Sequence, residues 1–380
     1  MANNEHQFES DIEALMTGEL GWSKARKLGA AAPSTEHSEK ALDLATLVKF
    51  VKASQPREWA FFVKACSGLD PEREFYKKFE DAVATEGMID VLRNGFYANG
   101  KHFSICYFKP ENRLNETALA NYEKNICEFH RQWHYSASDT AKSVDVMLSV
   151  NGIPLVAIEL KDQFTGQTVE NAKVQWMTDR NPKEGAFRLN HRVLVFFAVD
   201  LNETWMTTQL AGDETRFLPF NQGSAGAGED GGAGNPPWNL ALSRQAQDRP
   251  FRAQHLGPKA PTDYLWRDVL AKDSLLDILQ KFVNYEAKEK RLVFPRFHQL
   301  DVVRKLIADV KAHGSGKNYL VQHSAGSGKS NSIAWIGYRL ASLFNDEDKP
   351  VFNSVIIVTD RRVLDKQLQN TVMSFNPKLG

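Results

Sequence analysis

Apolar residues recur at helical spacing in several stretches of the chain, and alternate or run unbroken in a few others. Phe8, Ile12 and Leu15 predict a short amphipathic first helix. Leu42, Leu44, Leu47, Val48 and Val51 predict a second, Trp59, Phe62 and Val63 a third, and Glu72 to Leu92 carries further helical pattern. His102 to Phe108 alternates as a strand does, and Tyr122 to Phe129 reads as a helix. Thr168 to Met177 predicts another helix, and Arg192 to Val199, RVLVFFAV, a strand buried on both faces. Strand, helix and strand around a hairpin make a mixed sheet with helical cover, an α/β core.

The hairpin is Lys142 to Lys161, KSVDVMLSVNGIPLVAIELK: two runs rich in Val, Ile and Leu around the turn signal Asn151-Gly152. Its register decides its chemistry. With a two-residue loop, Val150 faces Ile153 and Asp145 faces Ile158, so that Glu159 falls among Val144, Val146 and Leu148. Burying a carboxylate there costs on the order of several kcal/mol unless it is paired. With a three-residue or bulged turn the pairing slips by one, and Asp145 faces Glu159. One face is then Val144, Val146, Leu148, Val150, Pro154, Val156, Ile158 and Leu160; the other carries Asp145, Met147, Ser149, Leu155, Ala157, Glu159 and Lys161. Patterning and chemistry choose this second register.

Composition bounds the rest. A length of 380 residues allows two or three domains. Helical periodicity returns from Leu265 to Val283, and a second α/β region starts near Phe294. The run Gly223 to Pro237, GSAGAGEDGGAGNPP, has no hydrophobic period and reads as a flexible linker or exposed loop. The expected division is a domain over 1–221, a Gly/Pro-rich linker or loop over 222–263, a helical connector over 264–293 and an incomplete nucleotide-binding lobe over 294–380. Basic and acidic residues balance at 47 each, so bulk charge gives no argument for nucleic acid, though a local basic groove would suffice. Three scattered cysteines exclude a disulfide framework and a zinc cluster and fit a reducing cytoplasm. No apolar run approaches the ~18 residues of a membrane span, and the polar N-terminus is unlike a signal peptide.

Asp145 on one strand with Glu159-Leu160-Lys161 on the next supplies what a magnesium-dependent nuclease needs. Hard carboxylate oxygens hold Mg²⁺, which takes one or two such ligands and keeps several waters. A lysine two residues from the glutamate points the same way along a strand and can steady developing charge. An E-x-K pair alone is common as a solvated strand surface. The aspartate in matching register, and Gln175 on the following helix, set this one apart. Lys142 and Lys173 read as solvated lysines that could also touch phosphate. Glu5, Glu9 and Glu13 read chiefly as the wet face of the first helix, although a helix acid can complete such a site.

Lys317 to Ser330, KNYLVQHSAGSGKS, presents a strand (Tyr319 to Gln322), a glycine loop and a helix from Ser330 in the order required of a phosphate-binding loop. Gly326, Ser327 and Gly328 would cradle phosphates, Lys329 would reach the β and γ phosphates of ATP, and Ser330 would help hold Mg²⁺. The first position of the motif is His323 where glycine is usual. Gln299, upstream in FPRFHQLDVV, resembles the adenine-reading glutamine of superfamily 2 helicases. Val355 to Thr359, VIIVT, reads as a second buried strand leading to Asp360-Arg361-Arg362, whose basic pair could bind phosphate or cap a solvated helix start.

Together these features resemble the restriction (R) subunit of type I restriction–modification systems. DVLRNGF (Asp90 to Phe96), NGIPLVAIELKDQFTGQT (Asn151 to Thr168), TRFLPFNQG (Thr215 to Gly223), FPRFHQLDVVRKL and QHSAGSGKSNSIAW carry the resemblance over nearly the whole chain. It implies a PD-(D/E)xK-type nuclease domain followed by the start of a superfamily 2 RecA-like translocase lobe. It assigns Asp145, Glu159 and Lys161 as the nuclease triad, with Gln175 in an adjoining glutamine motif whose following tyrosine is replaced by Trp176 or absent. It implies Mg²⁺ and ATP as cofactors, and double-stranded DNA with methyltransferase and specificity subunits as partners. The motor's Asp-Glu element and second lobe do not occur before Gly380, so the sequence reads as the N-terminal portion of a longer subunit, without turnover by itself. A repair or defence nuclease–helicase, and a non-catalytic DNA-binding remnant, stand as alternatives.

Overall fold

The computed structural model describes residues 4–25, 40–111, 115–162, 166–238, 260–345, 347–359 and 369. Helices α1 (Asn4–Gly18), α2 (Leu44–Ser54), α3 (Pro56–Ala65), α4 (Pro71–Glu86) and α5 (Met88–Asn94) precede most of the sheet. They follow the predicted periodicity, with Phe8, Ile12, Leu15, Leu47, Val51, Phe62, Phe75 and Phe79 buried, except at Val63, which is exposed. The seven-stranded mixed sheet comprises β1 (Ser23–Lys24) and β4 (Cys127–His134), the hairpin β5 (Ser143–Val150) and β6 (Ile153–Leu160), then β7 (Val195–Val199), β8 (Thr204–Thr207) and β9 (Leu218–Pro219). They lie side by side in that order, and β2 (Phe96–Ala98) with β3 (Lys101–Phe103) forms a separate small hairpin. Helix α6 (Glu116–Tyr122) leads into β4, and α7 (Val169–Thr178) crosses from β6 to the parallel strand β7.

Three expectations are corrected here. Tyr122 to Phe129 is not a helix: α6 ends at Tyr122 and β4 begins at Cys127, with Cys127, Phe129 and Trp133 buried in alternation. The strand expected at His102 to Phe108 shrinks to Lys101–Phe103. The third concerns Tyr319 to Gln322 and Val355 to Thr359, which form no ladder among the described residues; Leu320, Ile356 and Val358 are 91%, 83% and 87% exposed. A run that is apolar on both faces holds as a strand only between neighbouring strands under helical cover, and no described segment gives either run a ladder partner.

The Gly223 to Pro237 segment is an exposed loop, but a closed one. Gly223 and Ser224 N–H donate to the carbonyls of Gly234 and Gly232, and Asn235 Nδ2 bonds Asn202 O and Asn221 Oδ1. The connector is a π-helical turn (Leu265–Val269) and helix α8 (Lys272–Lys281), followed by the hairpin β10 (Asn284–Glu286) and β11 (Arg291–Val293). Helices α9 (Phe297–His313) and α10 (Lys329–Ala341) complete the described elements.

Candidate functional site

The hairpin reaches the favoured register by a route different from the simplest expectation. Its turn is two residues long: Val150 pairs Ile153, and Asn151 and Gly152 both have positive φ, 52° and 81°. Between Leu148 and Ser149 the pairing shifts by one, because Leu155 is an extra residue between Pro154, opposite Ser149, and Val156, opposite Leu148. The Leu155 carbonyl instead accepts from Leu194 N–H at 2.9 Å. Beyond this bulge Met147 faces Ala157 and Val146 faces Ile158, so the next step sets Asp145 opposite Glu159. Leu155 consequently packs in the main core beside Val156, not on the carboxylate face, and Val144 packs in the second cluster with Met147 and Ala157.

Tertiary contacts lock the turn. Asn151 is fully buried; its Nδ2 donates to Ile105 O and Asn125 Oδ1, and its Oδ1 accepts from Ile126 N–H. Gly152 O accepts from Asp43 N–H, while Asp43 Oδ1 caps α2 through Thr46 N–H at 3.0 Å.

At the open end of the hairpin, Glu159 is 0% exposed and Arg180 holds it. Nε and Nη2 of Arg180 reach Glu159 Oε1 at 2.8 and 2.6 Å, while Glu159 Oε2 is buried without a hydrogen-bond partner. Burial, and then the charge of Asp145, push the Glu159 carboxyl well above its ordinary value; Arg180 opposes both. Asp145 Oδ2 accepts from Leu160 N–H at 2.8 Å and Oδ1 from Gln132 Nε2 at 3.2 Å. Lys161, 8% exposed, follows the strand, and its N–H continues the ladder to Val199 O at 2.9 Å. A cleft of about 500 Å³ opens here, lined by Gln132, Lys142, Asp145, Gln175, Asp179 and Arg180 among others.

The predicted Asp145 and Gln175 therefore line one cleft, with the fully buried Glu159 behind its wall on Arg180 and Lys161 at the adjoining strand end. Lys142 lines the cleft, whereas Lys173 pairs with Glu170 at 2.5 Å and lies over the Trp205 ring at 4.0 Å. Trp176 is core, donating Nε1–H to Phe197 O at 3.0 Å. The wet face assigned to α1 is corrected at Glu9: it is 2% exposed and paired with Arg131 at 2.6 Å. Glu13 pairs with Lys24 at 2.7 Å, and the side chain of Glu5 lies outside the described residues. Sequence reasoning missed Arg180 and Gln132. A buried glutamate beside an aspartate demands a cation, but spacing alone does not select Arg180 from the neighbouring lysines.

The two carboxylates suit Mg²⁺: they are hard oxygen donors, and one buried oxygen has no partner of its own. Among the described residues no group of three or more His, Cys, Asp or Glu could hold a metal.

The nucleotide loop rests on α9 and opens α10. Gly326 and Gly328 have φ of 73° and 81°, and Gly328 is the N-cap of α10. Lys329 Nζ donates to His323 O at 3.0 Å and Ser324 O at 2.8 Å, closing the loop on itself. Gln299 is 3% exposed; its Nε2 donates to Ser327 O and Gly328 O, and its Oε1 accepts from Arg296 N–H. Its amide thus braces the loop. Ser327 is buried with an unpartnered Oγ, Ser330 is half-buried at the helix start, and Asp360, Arg361 and Arg362 lie outside the described residues. Loop N–H groups at a helix N-terminus beside a lysine suit a triphosphate.

A family model described as "Type I restriction enzyme R protein N terminus" matches residues 12–215, and one described as "SWI2/SNF2 ATPase" matches residues 298–379. The chain is 25% identical over 300 residues to a protein of Methanocaldococcus jannaschii described as a type I restriction enzyme (MjaVIIIP) endonuclease subunit. That match covers 76% of this chain and 25% of the relative, so the chain spans about a quarter of its length. No helix among the described residues is long and apolar enough to cross a membrane. With the first model matching more than half of its length, the chain belongs to the family of type I restriction enzyme R-protein N-terminal regions.

Proposed function

We propose that the cleft at the end of β5 and β6 is a magnesium-dependent DNA-cleaving centre of PD-(D/E)xK type, and that residues 294–380 begin an ATP-driven RecA-like translocase lobe. The observation that carries the reading is Glu159 Oε2, buried and without a hydrogen-bond partner behind Asp145 and Arg180, which line the cleft. A carboxylate so placed raises the cost of burial unless it serves a ligand. When bound, Mg²⁺ lowers the pKa of its water and offsets charge on the scissile phosphate. Asp145 and Glu159 hold the ion. Arg180 fixes Glu159 by one oxygen and leaves the other available. Lys161 steadies charge developing on the phosphate, and Gln175 bonds the DNA backbone along the cleft. In the second region Lys329 and the loop N–H groups bind the ATP phosphates, Ser330 helps hold their Mg²⁺, and Gln299 braces the loop.

In this reading the chain works in the cytoplasm as part of a restriction subunit on double-stranded DNA, with methyltransferase and specificity subunits supplying sequence recognition. Mg²⁺-dependent nicking of a supercoiled plasmid tests the centre: Glu159→Ala and Lys161→Ala abolish it while the protein stays folded. Equal nicking by wild type and Glu159→Ala would remove the reading and leave a DNA-binding role. Co-purification with a methyltransferase separates restriction from another nuclease–helicase system.

A further inference from the structure

We propose that Gln132 is a positioning residue of this centre: its amide, held between Glu9 and Asp145, sets the Asp145 carboxylate opposite Glu159. The inference rests on the metal-centre reading above. Gln132 lies between Arg131, paired with Val146, and Trp133, paired with Val144, so it stands level with Asp145. Yet it drops out of the ladder, because its φ is 50°. A glutamine in the left-handed region is strained and persists only where its surroundings over-determine it.

The surroundings here are three hydrogen bonds. Gln132 Nε2 donates to Glu9 Oε1 at 3.1 Å and to Asp145 Oδ1 at 3.2 Å, while Ser143 Oγ donates to Gln132 Oε1 at 2.9 Å. Two carboxylates on one side require N–H donors, and a hydroxyl donor on the other requires an acceptor. A primary amide meets both demands in one orientation; a glutamate at this place would put a third carboxylate against the other two. The far end of the arm is fixed, since Arg131 Nε and Nη2 donate to Glu9 Oε2 at 3.0 and 2.6 Å. The near end meets the other clamp: Arg180, which holds Glu159, also donates from Nη2 to Ser143 O at 2.8 Å. Asp145 and Glu159 are therefore held by separate arms, Gln132 and Arg180, that converge on Ser143. With Leu160 N–H on Oδ2, both oxygens of Asp145 are oriented, one from each side. Residues that orient metal-binding carboxylates typically carry about 10–100-fold in metal affinity or activity.

The test is calorimetric titration of the whole chain with Mn²⁺ alone, with thermal melting of each variant and the Mn²⁺ dependence of plasmid nicking alongside. Gln132→Met keeps the length of the side chain and removes its polar atoms. It is expected to melt near wild type and to bind Mn²⁺ about 10–100-fold more weakly, with the half-saturation for nicking moved by the same factor. Ser143→Ala, which removes the bond that orients the amide, is expected to weaken binding several-fold and serves if Gln132→Met fails to fold. Unchanged Mn²⁺ affinity in a folded Gln132→Met, or in Ser143→Ala where Gln132→Met does not fold, overturns the proposal. Glu159→Ala separates the two levels. If wild type takes up no Mn²⁺, or Glu159→Ala binds it equally, the metal-centre reading itself fails. If Glu159→Ala loses Mn²⁺ while Gln132→Met keeps it, only the positioning role falls.

Discussion

Arg180 gives two of its nitrogens to a single oxygen of Glu159, at 2.8 and 2.6 Å, and leaves the second oxygen bare in a buried site. Because the glutamate is fully buried, removing the cation leaves its carboxyl without its hydrogen-bond partner rather than trimming a surface pair. Arg180→Met is expected to cost about 3–5 kcal/mol in denaturant unfolding. The double variant Arg180→Met with Glu159→Gln should be less destabilised than the two single effects summed. Strict additivity would mean that the pair is uncoupled.

The turn makes a second prediction. A Cβ on Gly152 would lie 2.2 Å from Asp43 O, and the residue already has a φ of 81°. Gly152→Ala must therefore separate the hairpin from the start of α2 and is expected to lower stability by about 1–3 kcal/mol or more. It should also raise the half-saturation for Mn²⁺, since the bulged register depends on the turn. A wild-type melting temperature would show that the turn does not rest on Asp43.

The Gln299 amide bonds Ser327 O, Gly328 O and Arg296 N–H, so it holds the nucleotide loop. Gln299→Ala is expected to weaken ATP and GTP analogues alike, about 5–20-fold each for two lost loop bonds. Fluorescent-nucleotide titration checks this, and a loss confined to the adenine nucleotide would restore the base-reading role. Lys329→Ala should abolish binding of both.

Asp277 on α8 pairs with Arg339 of α10 at 3.0 Å, Lys281 at 2.9 Å and Arg304 of α9 at 3.6 Å. Burial pushes its carboxyl up, but the charges of Arg339, Lys281 and Arg304 outweigh it and hold the value below ordinary. A depressed acid contributes stability that is complete above the unfolded value near ~3.9 and disappears as pH falls through the folded one. Asp277→Asn is expected to cost about 1–2 kcal/mol at neutral pH. The difference from wild type should shrink as unfolding is measured at progressively lower pH below ~4. A pH-independent difference would assign the effect to packing.

Much of the candidate centre was legible in the chain because a strand repeats every two residues. Once Asp145 was set opposite Glu159, Lys161 followed, and the apolar residues of the hairpin made that register the favourable one. The turn was legible only in part: Asn151-Gly152 does close a two-residue turn, and the slip comes from Leu155. That bulge is stabilised by Leu194, the residue just before β7, some forty residues further along, which no local pattern encodes.

By itself, then, the sequence determined helices α1 to α5 and α7, the carboxylate pair and the helix that follows the glycine loop, since each depends on spacing within one element. Only tertiary structure decided what surrounds those groups. Glu9 passes from a wet helix face to a buried ion pair because β4 brings Arg131 against it. Arg180 becomes the partner of Glu159 because α7 ends over the mouth of the hairpin. Gln132 enters the centre only because its backbone leaves the ladder. Charges find partners across the fold by position in space, and that is fixed by packing between elements, not by periodicity within them.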